Sequence, residues 1–178
     1  NSLADSAWDT PSGGEGATGV EADYNLFVYY RKADLIYGAN TTSNIWSFSP
    51  NGAGFTDAAQ ALTHTNIGQG LVHSADDKLY IPYYANAGAA GAKSFIMSKN
   101  GTAAFNTTAL TLPDHLIPVS ICESGNYLAI GCQPASGFGS SKVFLWDRTS
   151  TSWNESIDWG EGNLFILENV SGSLVGIS

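Results

Sequence analysis

The stretch VSICESGNYLAIGCQPASGFGSSKVFLWDRTSTSW, residues 119–153, decides the fold. Apolar runs at 119–122 and 128–131 flank the turn residues 124–127, so the chain doubles back as a β-hairpin. Phe144 and Trp146 then alternate with other residues in a third strand. Large apolar side chains at i and i+2 share one face of a strand. A turn at 147–150 (DRTS) follows, and Trp153 opens a fourth strand.

Weaker copies surround this stretch. Leu35, Leu79, Leu128 and Leu174 each sit in a short apolar run, at intervals of 44, 49 and 46 residues. Before each lies a turn, at 31–34, 75–78, 124–127 and 170–173, and before each turn an apolar strand: LFVY at 26–29, GLVH at 70–73, VSIC at 119–122 and FILE at 165–168. Third strands follow at Trp46 and Phe48, Phe95 and Met97, and Phe144 and Trp146. The next turns are SPNG at 49–52, SKNG at 98–101 and DRTS at 147–150. Asn-Gly marks a hairpin because its backbone accepts positive φ at little cost. Phe55, Phe105 and Trp153 open the fourth strands. The nearest thing to a helix is TDAAQAL at 56–62, which is too short to stand alone and falls where a fourth strand is due.

Four antiparallel strands recurring every 44–49 residues resemble the blades of a β-propeller. KVFLWDRTSTSW at 142–153 is similar to the third strand and turn of a WD-repeat blade, with Trp146–Asp147 where that family carries its Trp-Asp pair. The equivalent pairs Phe48–Ser49 and Met97–Ser98 depart from that pattern. The resemblance implies an all-β propeller of four-stranded blades over 1–178, with units starting near 25, 69, 118 and 164. Trp8–Asp9 matches Trp146–Asp147, which puts the N-terminus in a third strand. Two architectures follow: four blades with one split between the termini, or a segment of a larger propeller. The first residue, Asn1, points to processing or to a longer parent chain. A solenoid of hairpins is the competing architecture, but it needs polar caps and neither terminus has one.

Composition excludes several functions. The formal charge is -9 with only seven Lys plus Arg, so the cationic footprint of nucleic-acid or anionic-membrane binding is missing. No apolar run reaches the roughly 18 residues of a membrane span. The 13% charged residues leave polarity to Asn, Ser, Thr and Gly, which suits turn-rich β structure. Cys122 and Cys132 fall on successive strands of one hairpin, out of bridging register, so two free buried thiols are expected. Asn-x-Ser/Thr sequons begin at Asn40, Asn100, Asn106, Asn154 and Asn169.

Strand alternation sorts the loops onto two sides. Connectors from strand two to three and from four to one share one side, and hairpin turns share the other. The connector side is expected to carry Tyr83, Tyr84, Phe138, His64, Asp114, His115, Asp158, Trp159 and Glu161. Long loops on a rigid scaffold tend to carry binding. Tyr83, Tyr84 and Trp159 offer flat faces for sugar stacking, or caps for the core between blades. Asp114, Asp158 and Glu161 are the candidate carboxylates for acid–base work, or solvated loop residues. His73 reads as a packed strand residue, and His64 and His115 occupy equivalent connectors. No His or Cys cluster has metal-ligand spacing, and no Gly-x-Ser-x-Gly, P-loop or dinucleotide fingerprint is present, so neither a metal nor a cofactor is expected.

The expectation is a non-enzymatic binding or structural interaction module for a protein partner, as an oligomer or within a larger extracellular or virion-surface assembly. Ligand-binding candidates are Tyr83, Tyr84, Asp114, His115, Phe138, Asp158 and Trp159. A glycan-binding lectin-like propeller is the alternative, and a glycoside hydrolase or lyase using the connector-side carboxylates is the third reading.

Overall fold

A computed structural model describes residues 24–40, 45–50, 56–60, 65–85, 93–135, 139–154, 156–164 and 166–177. Trp8–Asp9, Phe55, His64 and Phe138 lie outside them, as do the side chains of Trp46 and Phe48.

The described chain is all-β, in antiparallel sheets taken up in chain order. The first sheet holds β1 (Tyr24–Tyr30), β2 (Leu35–Asn40), β3 (Ile45–Phe48) and β4 (Thr56–Gln60). TDAAQ at 56–60 is thus a strand, because β3 offers it an edge that no helix could use. The second sheet holds β5 (Thr65–Ile67), β6 (Leu71–Val72), β7 (Leu79–Ala85), β8 (Lys93–Lys99) and β9 (Asn106–Thr111). The third comprises β10 (Ile117–Ser124), β11 (Tyr127–Gln133), β12 (Ser140–Asp147), β13 (Ser152–Trp153) and β14 (Ile157–Glu161). The fourth is the hairpin of β15 (Ile166–Val170) and β16 (Ser173–Ile177).

The hairpin turns follow the sequence signals. Gly125 takes φ 59° in the two-residue turn between β10 and β11, and Ser171 and Gly172 take 53° and 88° between β15 and β16. Two strands expected to be continuous are broken. The first strand of the second unit, expected over 70–73, is instead β5 and β6, both paired to β7. Between them Gly68 N–H bonds back to Pro82 O at 2.9 Å, while Gln69 N–H crosses to Val119 O of the third sheet at 2.8 Å. One peptide is thus lent to the neighbouring sheet. The fourth strand of the third unit is likewise divided into β13 and β14, both paired to β12.

Pairing also shifts the Leu column. Met97 faces Ile81 and Trp146 faces Leu128 across their ladders, while position 48 faces Ile36. A one-residue slip turns a side chain to the other face of the sheet. Leu35 therefore packs toward the second sheet together with Tyr37 and Ala39.

Three apolar cores lie between consecutive sheets. Leu26, Tyr30, Tyr37, Ala39 and Ile45 of the first sheet meet Ile67, Leu79, Ile81, Tyr83 and Met97 of the second. Tyr80, Ile96 and nearby Leu112 meet Ile121, Leu128, Ile130, Cys132 and Phe144 of the third. Cys122, Ala129 and Val143 meet Leu164 and Leu167 next to and within the fourth. The second and third sheets are buried on both faces, so β7 reads LYIPYYA without alternation. Cys122 and Cys132 are free and buried, as expected. Burial pushes the Cys122 thiol up to about 11 and raises that of Cys132 as well, so both stay protonated at neutral pH.

Buried hydroxyls tie the seams. Tyr30 is fully buried, and its hydroxyl accepts from Gly101 N–H at 2.7 Å and donates to Asp77 O at 2.8 Å. Ser120 Oγ accepts from Leu167 N–H at 2.8 Å, and Ser141 Oγ from Leu164 N–H at 3.0 Å. Glycine allows the closest approach. A Cβ on Gly68 would stand 2.4 Å from Val119 O, a backbone atom that cannot swing aside. Gly68→Ala should therefore lower stability by about 1–3 kcal/mol, the usual cost of overpacking, read as an earlier urea-unfolding midpoint. An unchanged midpoint would mean that the second and third sheets are not apposed there.

Candidate functional site

On the connector side, Asp114 lies between β9 and β10, and Lys142 enters near the start of β12. Lys142 Nζ donates to Asp114 Oδ2 at 3.0 Å, and His115 N–H donates to Asp114 Oδ1 at 2.8 Å. The Lys142 hydrogen bond holds the Asp114 carboxyl below its ordinary range, against the opposing effect of burial. Lys142 pairs across the ladder with Asp158 of β14, whose Oδ1 accepts from Gly160 N–H at 3.0 Å. Asp114 and Asp158 thus flank one lysine near the start of β12, with His115 next to Asp114 in the chain. His115 and Asp158 are exposed, and Asp114 is half-buried.

The other predicted residues do not join this group. Trp159 and Glu161 lie, like Asp158, in β14 rather than in a connector, because that segment pairs with β12. Trp159 packs over Gly176, where an added Cβ would come 2.6 Å from its Nε1. It covers the core between the third and fourth sheets. Tyr83 and Tyr84 are buried within β7. Tyr83 stacks on Phe95 with ring centroids 5.4 Å apart, and its hydroxyl donates to Thr107 O at 2.8 Å. Phe138 lies outside the described residues.

A second polar group sits on the hairpin-turn side, between the second and third sheets. His73, 1% exposed, follows β6, and its Nδ1 accepts from Ala75 N–H at 3.2 Å. Its Nε2 stands 3.7 Å from Glu123 Oε1. Glu123 accepts from both the N–H and the hydroxyl of Ser74, the latter at 2.7 Å. Asp76 Oδ1 accepts from Lys78 N–H at 3.1 Å, and its Oδ2 from the Tyr80 hydroxyl at 2.8 Å. Arg148 Nη2, from the turn after β12, stands 3.4 Å from Asp76 Oδ2. Burial raises the Asp76 carboxyl, but the Tyr80 and Lys78 hydrogen bonds and the nearby His73 and Arg148 outweigh it and leave the group below its ordinary 3.8. Burial, then Asp76 itself, pushes the Tyr80 phenol well up.

The sequence marked only His73 here, as a packed residue. Asp76, Tyr80, Glu123 and Arg148 come from two sheets, and their meeting depends on which faces oppose. The arrangement is a clasp. Its carboxylates are capped by Ser74, Tyr80, Lys78 and Arg148, and the Ser74 hydroxyl is turned to Glu123 rather than to the imidazole. Among the described residues no group of three or more His, Cys, Asp or Glu could hold a metal, and no helix is long and apolar enough to cross a membrane.

A scan of the chain against protein-family models finds no match, and a search of curated proteins finds no matching relative.

The lowered Asp76 carboxyl makes a pH prediction. A carboxyl depressed in the folded state adds stability above its unfolded value, and loses it as pH falls through the folded value. Urea-unfolding stability should therefore drop from about pH 5 downward. Asp76→Asn should lower stability at pH 7 and flatten that drop. An equally steep acid limb in Asp76→Asn would show that the clasp does not contribute to it.

Proposed function

We propose that the chain is a non-enzymatic binding or structural interaction module on a β-propeller scaffold. Face-to-face antiparallel sheets with cores between them support the scaffold, since propeller blades pack in this way. Its ring is either four blades, one of them split between the termini with Trp8–Asp9 in its third strand, or part of a larger propeller. The partner is a protein, within a larger assembly at an extracellular or virion surface.

One observation carries binding over catalysis. The Asp114 carboxyl is committed to Lys142 and sits below its ordinary range. Glycoside hydrolysis needs a carboxylic acid whose pKa is raised so that it can protonate the leaving group. Asp114 is tuned the opposite way, toward a permanent acceptor. A second reading, a lectin-like glycan binder, is favoured by the exposed His115 and Asp158 beside the Asp114–Lys142 pair, a row of polar groups suited to sugar hydroxyls.

The test compares the native chain with Lys142→Ala, which releases Asp114. Protein partners and a glycan array are both presented. The module should bind a protein partner without turnover, with affinity reduced about tenfold in Lys142→Ala and an unchanged circular-dichroism spectrum. Array signals that fade in Lys142→Ala would make the ligand a sugar. Glycan cleavage abolished by Asp158→Asn or Glu161→Gln would replace binding with catalysis.

A further inference from the structure

Five Asn-x-Ser/Thr sequons run through the chain, and the fold treats them differently. N-linked glycosylation joins a sugar to the asparagine amide, and its signal couples that amide to a hydroxyl two residues on. A strand sets residues i and i+2 on one face. Asn106, Thr107 and Thr108 open β9, with Asn106 and Thr108 exposed and Thr107 half-buried between them. Asn106 Oδ1 accepts from Thr108 N–H at 3.2 Å, which turns the amide toward the threonine that completes the sequon. Thr107 O accepts from the Tyr83 hydroxyl at 2.8 Å. The backbone of this sequon is thus anchored to the core while its two chemical groups face out.

Two other sequons lie wholly within the described residues, and each lacks one of these features. At Asn100 the middle residue is Gly101, which is buried, takes φ 57° and donates its N–H to Tyr30 at 2.7 Å. That sequon is bent inward at its centre. Asn169 is half-buried and spends both ends of its amide. Its Nδ2 donates to Glu123 O at 2.9 Å, and its Oδ1 accepts from Gly172 N–H at 2.9 Å. A sugar on that Nδ2 would stand against β10 of the third sheet. The sequons at Asn40 and Asn154 include residues outside the described ones.

We infer that Asn106 is an N-glycosylation site, used in preference to Asn100 and Asn169. The inference rests on the extracellular placement in the proposed function, since the sugar donor belongs to a secretory route. That donor is an oligosaccharide on a lipid diphosphate. Asn106 Nδ2 bonds to the anomeric carbon, and the bond from that carbon to the diphosphate oxygen breaks. The lipid diphosphate leaves with the electron pair, and one amide proton passes to the transferase. The glycan stands at the hairpin-turn end of the second sheet, because Asn106 faces Ser98 next to the turn between β8 and β9. The Lys142–Asp114 pair lies on the connector side, so the glycan leaves it open to a partner.

Secretion of the chain behind a cleavable leader from a eukaryotic cell tests this. Chain from the medium and chain retained in the cells are both mapped by peptide mass, so a variant that does not leave the cell is still read. Peptide-N-glycosidase marks each used site by leaving aspartate where a sugar stood. Position 106 should carry sugar in the native chain and in Thr108→Ser, and lose it in Thr108→Ala, which keeps the asparagine. A fold defect alone would not separate serine from alanine in this way. Occupancy at Asn100 and Asn169 should be lower than at Asn106. A bare Asn106 in the native chain, sugar retained there in Thr108→Ala, or equal or higher occupancy at Asn100 or Asn169 would each overturn the assignment. A bare Asn106 in a chain that binds a protein partner would overturn the site and leave the module reading intact. A chain glycosylated at Asn106 that binds no partner would keep the site and remove that reading.

Discussion

The structure depends on one constraint: its inner sheets have no solvent face. In β7, Leu79, Ile81 and Tyr83 supply the core shared with the first sheet, and Tyr80 supplies the core shared with the third. In β11, Leu128, Ile130 and Cys132 face one way and Ala129 the other. A sheet of this kind cannot stand alone in water. Exposing a single Leu or Ile side chain costs about 1.5–3 kcal/mol, and each inner sheet would expose several. Each inner sheet therefore depends for its stability on the sheets packed against both of its faces.

The same constraint explains the polar groups in the seams. Close sheet packing traps backbone N–H groups that have no ladder partner, and leaving one unsatisfied costs about 1–3 kcal/mol. Serine meets this need with little volume, as at Ser120 and Ser141. Tyrosine meets it at a longer reach, as Tyr30 does for Gly101. Lys99 shows the limit of what a seam tolerates. It is only 8% exposed, donates to Ala103 O at 2.5 Å, and lies over the Phe105 ring at 4.7 Å. Burial lowers its pKa, while the carbonyl and the aromatic face offset part of the lost hydration.

The strands were legible in the sequence because they are local. Period-two patterning gave β8 and β12, and turn chemistry gave the hairpins at 31–34, 125–126 and 171–172. The strand breaks were not legible. The interruption at Gly68–Gly70 exists because Val119 of another sheet accepts a hydrogen bond there, and no local pattern records that. The candidate site divides in the same way. Asp114 and His115 were visible as connector residues, but Lys142 was not singled out, since its role comes from a neighbour 28 positions away. The clasp of His73, Asp76, Tyr80, Glu123 and Arg148 was hidden for the same reason. Tyr83 and Tyr84 misled in the other direction. They look like surface aromatics only until the second sheet is known to be covered on both faces.

The outward faces of the third and fourth sheets differ in residue size. Ala129 is fully buried and lies opposite Cys122 in its ladder, and the matching positions of the last hairpin are Val175 opposite Glu168. A Cβ on Gly131 would stand 2.7 Å from Leu164, so the third sheet needs small residues where the fourth closes on it. Two residues beyond Val175, at the position matching Gly131, stands Ile177. The fourth sheet thus presents Val and Ile where the third presents Ala and Gly. The two hairpins share a register, yet their outward faces differ in side-chain size, so equivalent positions in the repeat do not carry equivalent packing.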